Sequence, residues 1–185
     1  MPRKKITRTN ISINIDPNYG SFLVSKMINY IMLDGKKSLA QRIMYETLEI
    51  CKKHFIESHL EKFPEKKNRE MTDSEVKKIV LSELHLSIEN ITVVYTTKKI
   101  RVGGANYQVP KEIESEKGAQ NAMKMIVSVS RDTRSKNTSA ESMAEVILSA
   151  HKNQSGPIIK ERDSIISNLN SKRVYMGLGS AQKRK

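Results

Sequence analysis

The side chains able to do covalent or metal chemistry are scattered in this chain of 185 residues. Its four histidines, His54, His59, His85 and His151, lack the spacing by which imidazoles on one element converge on a metal ion. They read as structural or surface residues. Cys51 is the only cysteine, which excludes an intramolecular disulfide framework and a cysteine-based metal cluster. It falls on an apolar helical stripe, the setting of an inert buried thiol rather than a nucleophile. Gly35-Lys36-Lys37-Ser38 has the end of a phosphate loop. Tyr30 stands where the earlier glycine belongs, and a helical pattern rather than a strand precedes it, so that reading is rejected. No cofactor is expected.

The chemistry that remains is electrostatic. Lysine and arginine number 33 against 20 acids, a net charge of +13. Like charges repel in a compact chain, so such an excess points to an anionic partner. The cations gather in four places: an N-terminal arm with Arg3, Lys4, Lys5 and Arg8, the pair Lys36-Lys37, the run Lys98, Lys99 and Arg101, and a C-terminal tail. One such cluster is as often plain solvated charge; four on segments outside the core favour nucleic acid. A membrane partner is not expected: no apolar run approaches the ~18 residues that span a bilayer, and no apolar stretch follows the basic N-terminus as in a secretory signal.

Most of the chain has helical period. A first helix is expected from Ser21 on Val24, Met27, Ile28 and Ile31, ended by Asp34-Gly35, because glycine tolerates the left-handed conformation of a C-terminal cap. Ser38 with Gln41 suggests a capping box for a second helix carrying Ala40, Met44, Leu48, Cys51 and Phe55. Around Glu57 to Glu70 the period fails, lysines and glutamates mix, and Pro64 interrupts; a solvated insert that adds little to the core is expected there. Thr72 and Glu75 cap a third helix. The period then changes to two from Ile91 through Val93 and Tyr95, slips at Lys98-Lys99 in a way that suggests a bulge, and turns at Gly103-Gly104 as a hairpin. Pro110 on the return strand removes a ladder donor and marks an edge. Helix returns near Glu116, again behind the cap Thr138–Glu141, and again after Ser155-Gly156-Pro157. The fold class is therefore mainly α: a six-helix domain over 16–175 with an insert at 57–78 and a protruding two-stranded β-ribbon arm at 91–113, flanked by a basic arm, 1–15, and a basic tail, 176–185. A two-stranded ribbon is marginally stable alone in water, so something outside it must hold it.

RNA is favoured over duplex DNA, since no helix shows a convincing set of base-reading side chains and a basic ribbon suits a folded RNA recognised by shape. An architectural DNA-binding protein would lay the ribbon in a groove and insert an apolar wedge; Gly103, Gly104, Ala105 and Asn106 provide none. An RNA-modifying enzyme would need a cofactor loop or a catalytic cluster, and neither is visible.

"DPNYGSFLVSKMINYIMLDGKKSLAQRIMYETLE" (Asp16 to Glu49) and "RVGGANYQVPKEI" (Arg101 to Ile113) closely resemble the signature and the hairpin of the small-subunit ribosomal protein S7 family. "NAMKMIV" (Asn121 to Val127) and "KERDSIISNLNSKRVY" (Lys160 to Tyr175) are similar to its fourth and sixth helices. The resemblance implies a structural, non-enzymatic protein that binds rRNA directly and starts assembly of the 3′ major, or head, domain near the exit tRNA site and the mRNA path. The implied partners are small-subunit rRNA, neighbouring head proteins, and exit-site tRNA and mRNA. Carried over by position, the rRNA-facing residues are Arg3, Lys4, Lys5, Lys36, Lys37, Lys98, Lys99, Arg101, Tyr107, Lys160 and Arg162. The chain departs from the family where Glu114-Ser115-Glu116-Lys117 replaces a basic stretch, and in its insert and tail. Those departures, with the lysine-, isoleucine- and asparagine-rich composition, resemble an organelle-encoded member: a mitochondrion first, a plastid or an AT-rich bacterium as alternatives.

Overall fold

The structure is a computed structural model that describes residues 15–62, 72–102, 104–134 and 137–176. The N-terminal Arg3, Lys4 and Lys5, residues 63–71 of the insert, Gly103 and the tail beyond Met176 lie outside the described residues. The elements run α1 (Phe22–Ile31), α2 (Lys37–Lys62), α3 (Asp73–Ile91), β1 (Tyr95–Val102), β2 (Ala105–Glu112), α4 (Ser115–Asp132), α5 (Ser139–Lys152) and α6 (Pro157–Ser171), then a short 3-10 turn at Arg173–Tyr175.

Helix α5 sits at the centre, packed against α2, α3, α4 and α6. Its sequence allows this, because Ala140, Ser142, Ala144 and Ala150 are small and buried and let neighbouring backbones approach. Thr47 Oγ1 on α2 reaches Ala140 O at 3.3 Å, and Cys51 Sγ lies 3.9 Å from Ala144 O. Around α5 the fully buried Met27, Ile28, Met44, Leu48, Phe55, Leu84, Ile88 and Ile126 close one core. Each such side chain contributes about 1.5–3 kcal/mol relative to its exposed state. Thr138 caps α5 as expected: its Oγ1 accepts from Glu141 N at 3.3 Å while its own N donates to Glu141 Oε2 at 2.8 Å. At α3, Thr72 N likewise donates to Glu75 Oε2 at 3.0 Å.

The entry to α1 is pinned by Asp16. Its carboxylate accepts from the backbone of Asn18 and Tyr19 at 3.1 and 2.9 Å and from the Tyr45 hydroxyl at 2.6 Å. Burial, and then that bond to Asp16, push the Tyr45 hydroxyl up to about 12.

Several boundaries differ from the sequence expectation. Helix α1 stops at Ile31, and Asp34 and Gly35 follow as a turn with φ of 52° and 74°. The chain then enters α2 at Lys37, so Ser38 lies inside the first turn and is not its cap. Ile91 belongs to α3 and is fully buried; with Leu84 and Ile88 it completes a helical stripe that the sequence alternation had assigned to a strand. The ribbon is therefore shorter, Tyr95 to Glu112, and its register is unbroken from Tyr95↔Glu112 to Val102↔Ala105, without a bulge. A ribbon with little buried face imposes no strict alternation, and that produced the apparent slip. Helix α6 ends at Ser171, and the 3-10 turn continues the described chain through Tyr175.

The largest difference is at the insert: α2 continues through Glu57 to Lys62. The cause is Glu83 on α3, whose side chain is 5% exposed. One oxygen meets His59 Nδ1 at 3.3 Å; the other meets Lys62 Nζ at 2.9 Å and His151 Nε2 at 2.7 Å. Burial pushes the Glu83 carboxyl up, but the bonds from His151, Lys62 and His59 outweigh it and leave it below its usual value. A carboxyl lowered in the folded state stabilises the fold above its unfolded pKa, and that contribution disappears as pH falls through the folded value. Substituting Glu83→Ala should cost about 3 kcal/mol near neutral pH. In denaturant titrations at decreasing acid pH, wild type should lose that increment below the ordinary carboxylate range while the variant changes less. Deleting 57–70 should likewise cost clearly more than the ~0.6 kcal/mol of a doubled loop, because it removes His59 and Lys62. A cost at or below that figure would restore the reading of an idle insert.

Candidate nucleic-acid interface

The ribbon leaves the helical body between α3 and α4, and its root is tight. Gly118 in the first turn of α4 lies against the linker: a Cβ there would meet Thr92 Cγ2 at 2.9 Å. Thr92 cannot easily yield, because its Oγ1 donates to Ile88 O at 2.8 Å. Val109 and Pro110 on β2 are buried. Farther out, the Tyr107 ring packs on Tyr175 with centroids 5.5 Å apart, and Lys172 Nζ donates to Gln108 Oε1. The end of the described chain thus braces the ribbon. The sequence shows Lys172 and Tyr175 only as the end of the sixth helical segment, with no sign of their partners on the ribbon.

Successive strand residues point to opposite faces. Lys99 and Arg101 therefore share one face, and Lys98 joins Ile100 and Tyr107 on the other. The three cations do not form a single stripe; they flank the ribbon on both sides. Lys98 and Lys99 are exposed and have no ion pair among the described residues. Gly104, at φ 90°, turns the tip, and Ala105 and Asn106 beside it are small and exposed.

The other expected residues divide. Lys36 and Lys37 are exposed at the start of α2, where the turn through Asp34 and Gly35 presents them. Lys160 is exposed on α6. Arg162 is engaged inside the protein: it donates to Asn90 O at 3.0 Å and Asn153 Oδ1 at 2.9 Å and pairs with Asp163, tying together the ends of α3 and α5. Tyr107 is half-buried against Tyr175. At the departure from the basic stretch, Lys117 pairs with Glu114 at 3.7 Å.

Three cations that the sequence did not single out join Lys36. Arg42 from α2, Arg131 from α4 and Arg134 after α4 line one groove of about 620 Å³ with it. Arg131 and Arg134 lie in no quoted motif, and Arg42 falls within the Asp16 to Glu49 signature without standing out in it. On the catalytic side, burial pushes the Cys51 thiol up to about 12, so it remains a neutral thiol at physiological pH. Among the described residues no group of three or more histidine, cysteine or carboxylate side chains could hold a metal ion, and no helix is long and apolar enough to cross a membrane.

A six-helix body with a braced basic ribbon defines a class of protein built around exposed cations rather than a pocket with reactive groups. The family model described as "Ribosomal protein S7p/S5e" matches residues 2–167. The chain is 36% identical over 164 residues to "Small ribosomal subunit protein uS7" of Geotalea daltonii, covering 89% of this chain and 90% of that protein. It is 34% identical to the uS7 of Thermosipho melanesiensis over 150 residues, 81% and 82% of the two chains. With "Small ribosomal subunit protein uS7c" of Euglena gracilis it shares 30% over 178 residues, 96% of this chain and 99% of the relative. The chain belongs to the ribosomal protein S7p/S5e family, which is a family of ribosomal proteins and not of enzymes.

The brace makes a prediction. An aromatic pair contributes about 0.5–1.5 kcal/mol beyond its buried area. Tyr175→Ala should therefore raise hydrogen exchange of the β1 and β2 amides by up to about tenfold, while the amides of α5 keep their protection. Equal exchange of the ribbon in variant and wild type would show that its root alone holds it.

Proposed function

We propose that this chain is a structural component of the small ribosomal subunit that binds the subunit's rRNA directly and helps to nucleate its head domain, beside neighbouring head proteins and near the exit tRNA site and the mRNA path. The observation that carries this reading is the ribbon: a projecting, braced arm with unpaired Lys98 and Lys99 on opposite faces. Cations on both sides of a narrow arm suit a partner that surrounds it, as folded RNA does, and a small tip suits contact by shape and phosphate rather than by base reading. Lys36, Lys37 and Lys160 add exposed charge; Arg3, Lys4 and Lys5 belong to the same proposal through the family resemblance, as do Arg101 and Tyr107. Arg162 contributes by holding α3, α5 and α6 in place. The small tip argues against the architectural DNA reading. The composition supports an organellar ribosome, a mitochondrial one in the first reading, and the near-full-length match to the Euglena gracilis uS7c supports the plastid alternative.

Replacing Lys98, Lys99 and Arg101 together with alanine should leave the helical body folded, since surface changes usually shift stability by less than about 0.5 kcal/mol. The log–log salt dependence of binding to a head-domain rRNA fragment should become shallower by about 2 to 3, at roughly 0.7–0.9 per phosphate. An unchanged slope with native circular dichroism would remove the ribbon from the interface.

A further inference from the structure

Glu83 takes no part in the reading above, and it has more donors than one carboxylate needs for charge balance. Helix α2 brings His59 and Lys62 to it, and α5 brings His151. An ionised carboxylate only accepts, so the two contacting ring nitrogens, His59 Nδ1 and His151 Nε2, both carry hydrogen. Burial pushes the Glu83 carboxyl up, but the bonds from His151, Lys62 and His59 hold it below its usual range. It therefore stays ionised across the interval in which imidazoles change charge, about pH 5–8. Lys62 Nζ and His151 Nε2 share one oxygen, Oε2, at 2.9 and 2.7 Å. With neutral rings the cluster holds one cation against one anion. A proton added to either ring makes two cations against one anion, and at His151 both would sit on the same oxygen. The donors are unequally committed. The side chains of His59 and His151 are 14% and 7% exposed, whereas that of Lys62, the last residue of α2, is 45% exposed. The His151 ring also packs on Phe55 with centroids 5.1 Å apart, and its carbonyl accepts from Asn90 Nδ2 at 3.2 Å. From α6, Arg162 is engaged with Asn90 O, Asn153 and Asp163. Among the described residues no other charged side chain bonds to the Glu83 carboxylate.

We propose that this cluster is a proton-operated latch: proton uptake by His59 or His151 displaces Lys62 from Glu83 and frees the last turn of α2, and proton loss lets Lys62 close again. The order of release follows from solvation. A buried imidazolium cannot reach water without unpacking a helix, so it keeps its bond to Glu83. The Lys62 ammonium already borders solvent and regains its hydration at little cost. Its departure restores the balance of one cation to one anion, with imidazolium in place of ammonium. In the step a solvent proton binds the second ring nitrogen, His59 Nε2 or His151 Nδ1, and the ammonium moves from Oε2 into water. Lys62 is where the chain leaves α2 for the insert, so the latch governs how firmly that exit is held. The body itself stays closed, because Glu83 still joins α3 to α5 through His151. Mildly acid solution thus turns one internally paired cation into a free one without opening the core. The linkage is reciprocal: whatever draws Lys62 away favours proton uptake by the rings.

The test is amide hydrogen exchange on the full chain at about pH 7.5 and about pH 5.5, either side of the imidazole range, with rates corrected for the intrinsic pH dependence of exchange. One linked proton changes an equilibrium by at most about tenfold per pH unit. Protection of the amides of residues 59–62 should therefore fall several-fold, and by no more than about 100-fold, while the amides of α5 keep theirs. Equal protection of 59–62 at the two pH values would overturn the latch, and so would a parallel fall in α5, which would mean general loosening in acid. The combined variant His59→Gln and His151→Gln keeps an N–H donor at each place but takes up no proton, so its protection should be the same at both pH values; a fall like that of wild type would overturn the proposal. Lys62→Met provides a readout that does not depend on that variant folding. Without the competing ammonium, the imidazole NMR signals should titrate at higher pH than in wild type. Titration at the same pH would show that Lys62 and the rings do not compete for Glu83.

Discussion

The burial of α5 is the constraint on which the rest of the structure depends. A 14-residue helix with Ala140, Ser142, Ala144 and Ala150 buried is too short and too small-sided to be stable alone. Placed inside α2, α3, α4 and α6, it lets their larger side chains meet around it. Its small residues set the close approach, seen in the contacts of Thr47 and Cys51 with its carbonyls. Its last turn also supplies His151 to Glu83, so the Glu83 cluster is completed only when α5 is seated. The same packing determines where charge can go. Helices turned inward toward α5 leave loops, ribbon and helix starts as the places where unpaired lysine and arginine reach solvent.

This arrangement separates the stability of the protein from its function. The core uses almost no cations: Lys62 and Arg162 are engaged in internal bonds, while Lys36, Lys98, Lys99 and Lys160 are not. Repulsion among the free cations is tolerable because they are dispersed over the periphery, and an RNA partner would relieve it. Such a surface gains affinity by releasing counterions from phosphate; the protein need only hold its charges in a fixed spatial pattern. The brace of Tyr107 on Tyr175 and the lock of Arg131 on the end of α1 do that at two separate places.

The sequence made much of this legible. Helical stripes such as Ala40, Met44, Leu48, Cys51 and Phe55 mark α2, the Thr72 and Thr138 boxes mark two helix starts, and the glycine pair with its flanking strands marks the ribbon. These signals are local, and local signals survive in a single chain. What was missed is long-range. Glu83 is an ordinary acid on α3 until partners 21, 24 and 68 residues away converge on it; only then does the helical end of α2 make sense. Tyr175 shows no bracing role in the sequence, because its partner, Tyr107, lies on a distant strand. The groove escaped notice because Lys36 and Arg42 face Arg131 and Arg134 only after α4 has folded back. Ile91 was misplaced for another reason: a short apolar alternation fits either a helix end or a strand start, and burial decides between them.

The account stands on direct contact between this chain and small-subunit rRNA. Crosslinking the intact protein to nucleic acid in its own cells, followed by sequencing of the attached strand and identification of the crosslinked peptides, tests that contact without purified fragments. The expected result is enrichment of head-domain segments of small-subunit rRNA, joined to peptides from the ribbon and from the start of α2. Recovery mainly of DNA, or of RNA unrelated to the small subunit, would contradict it.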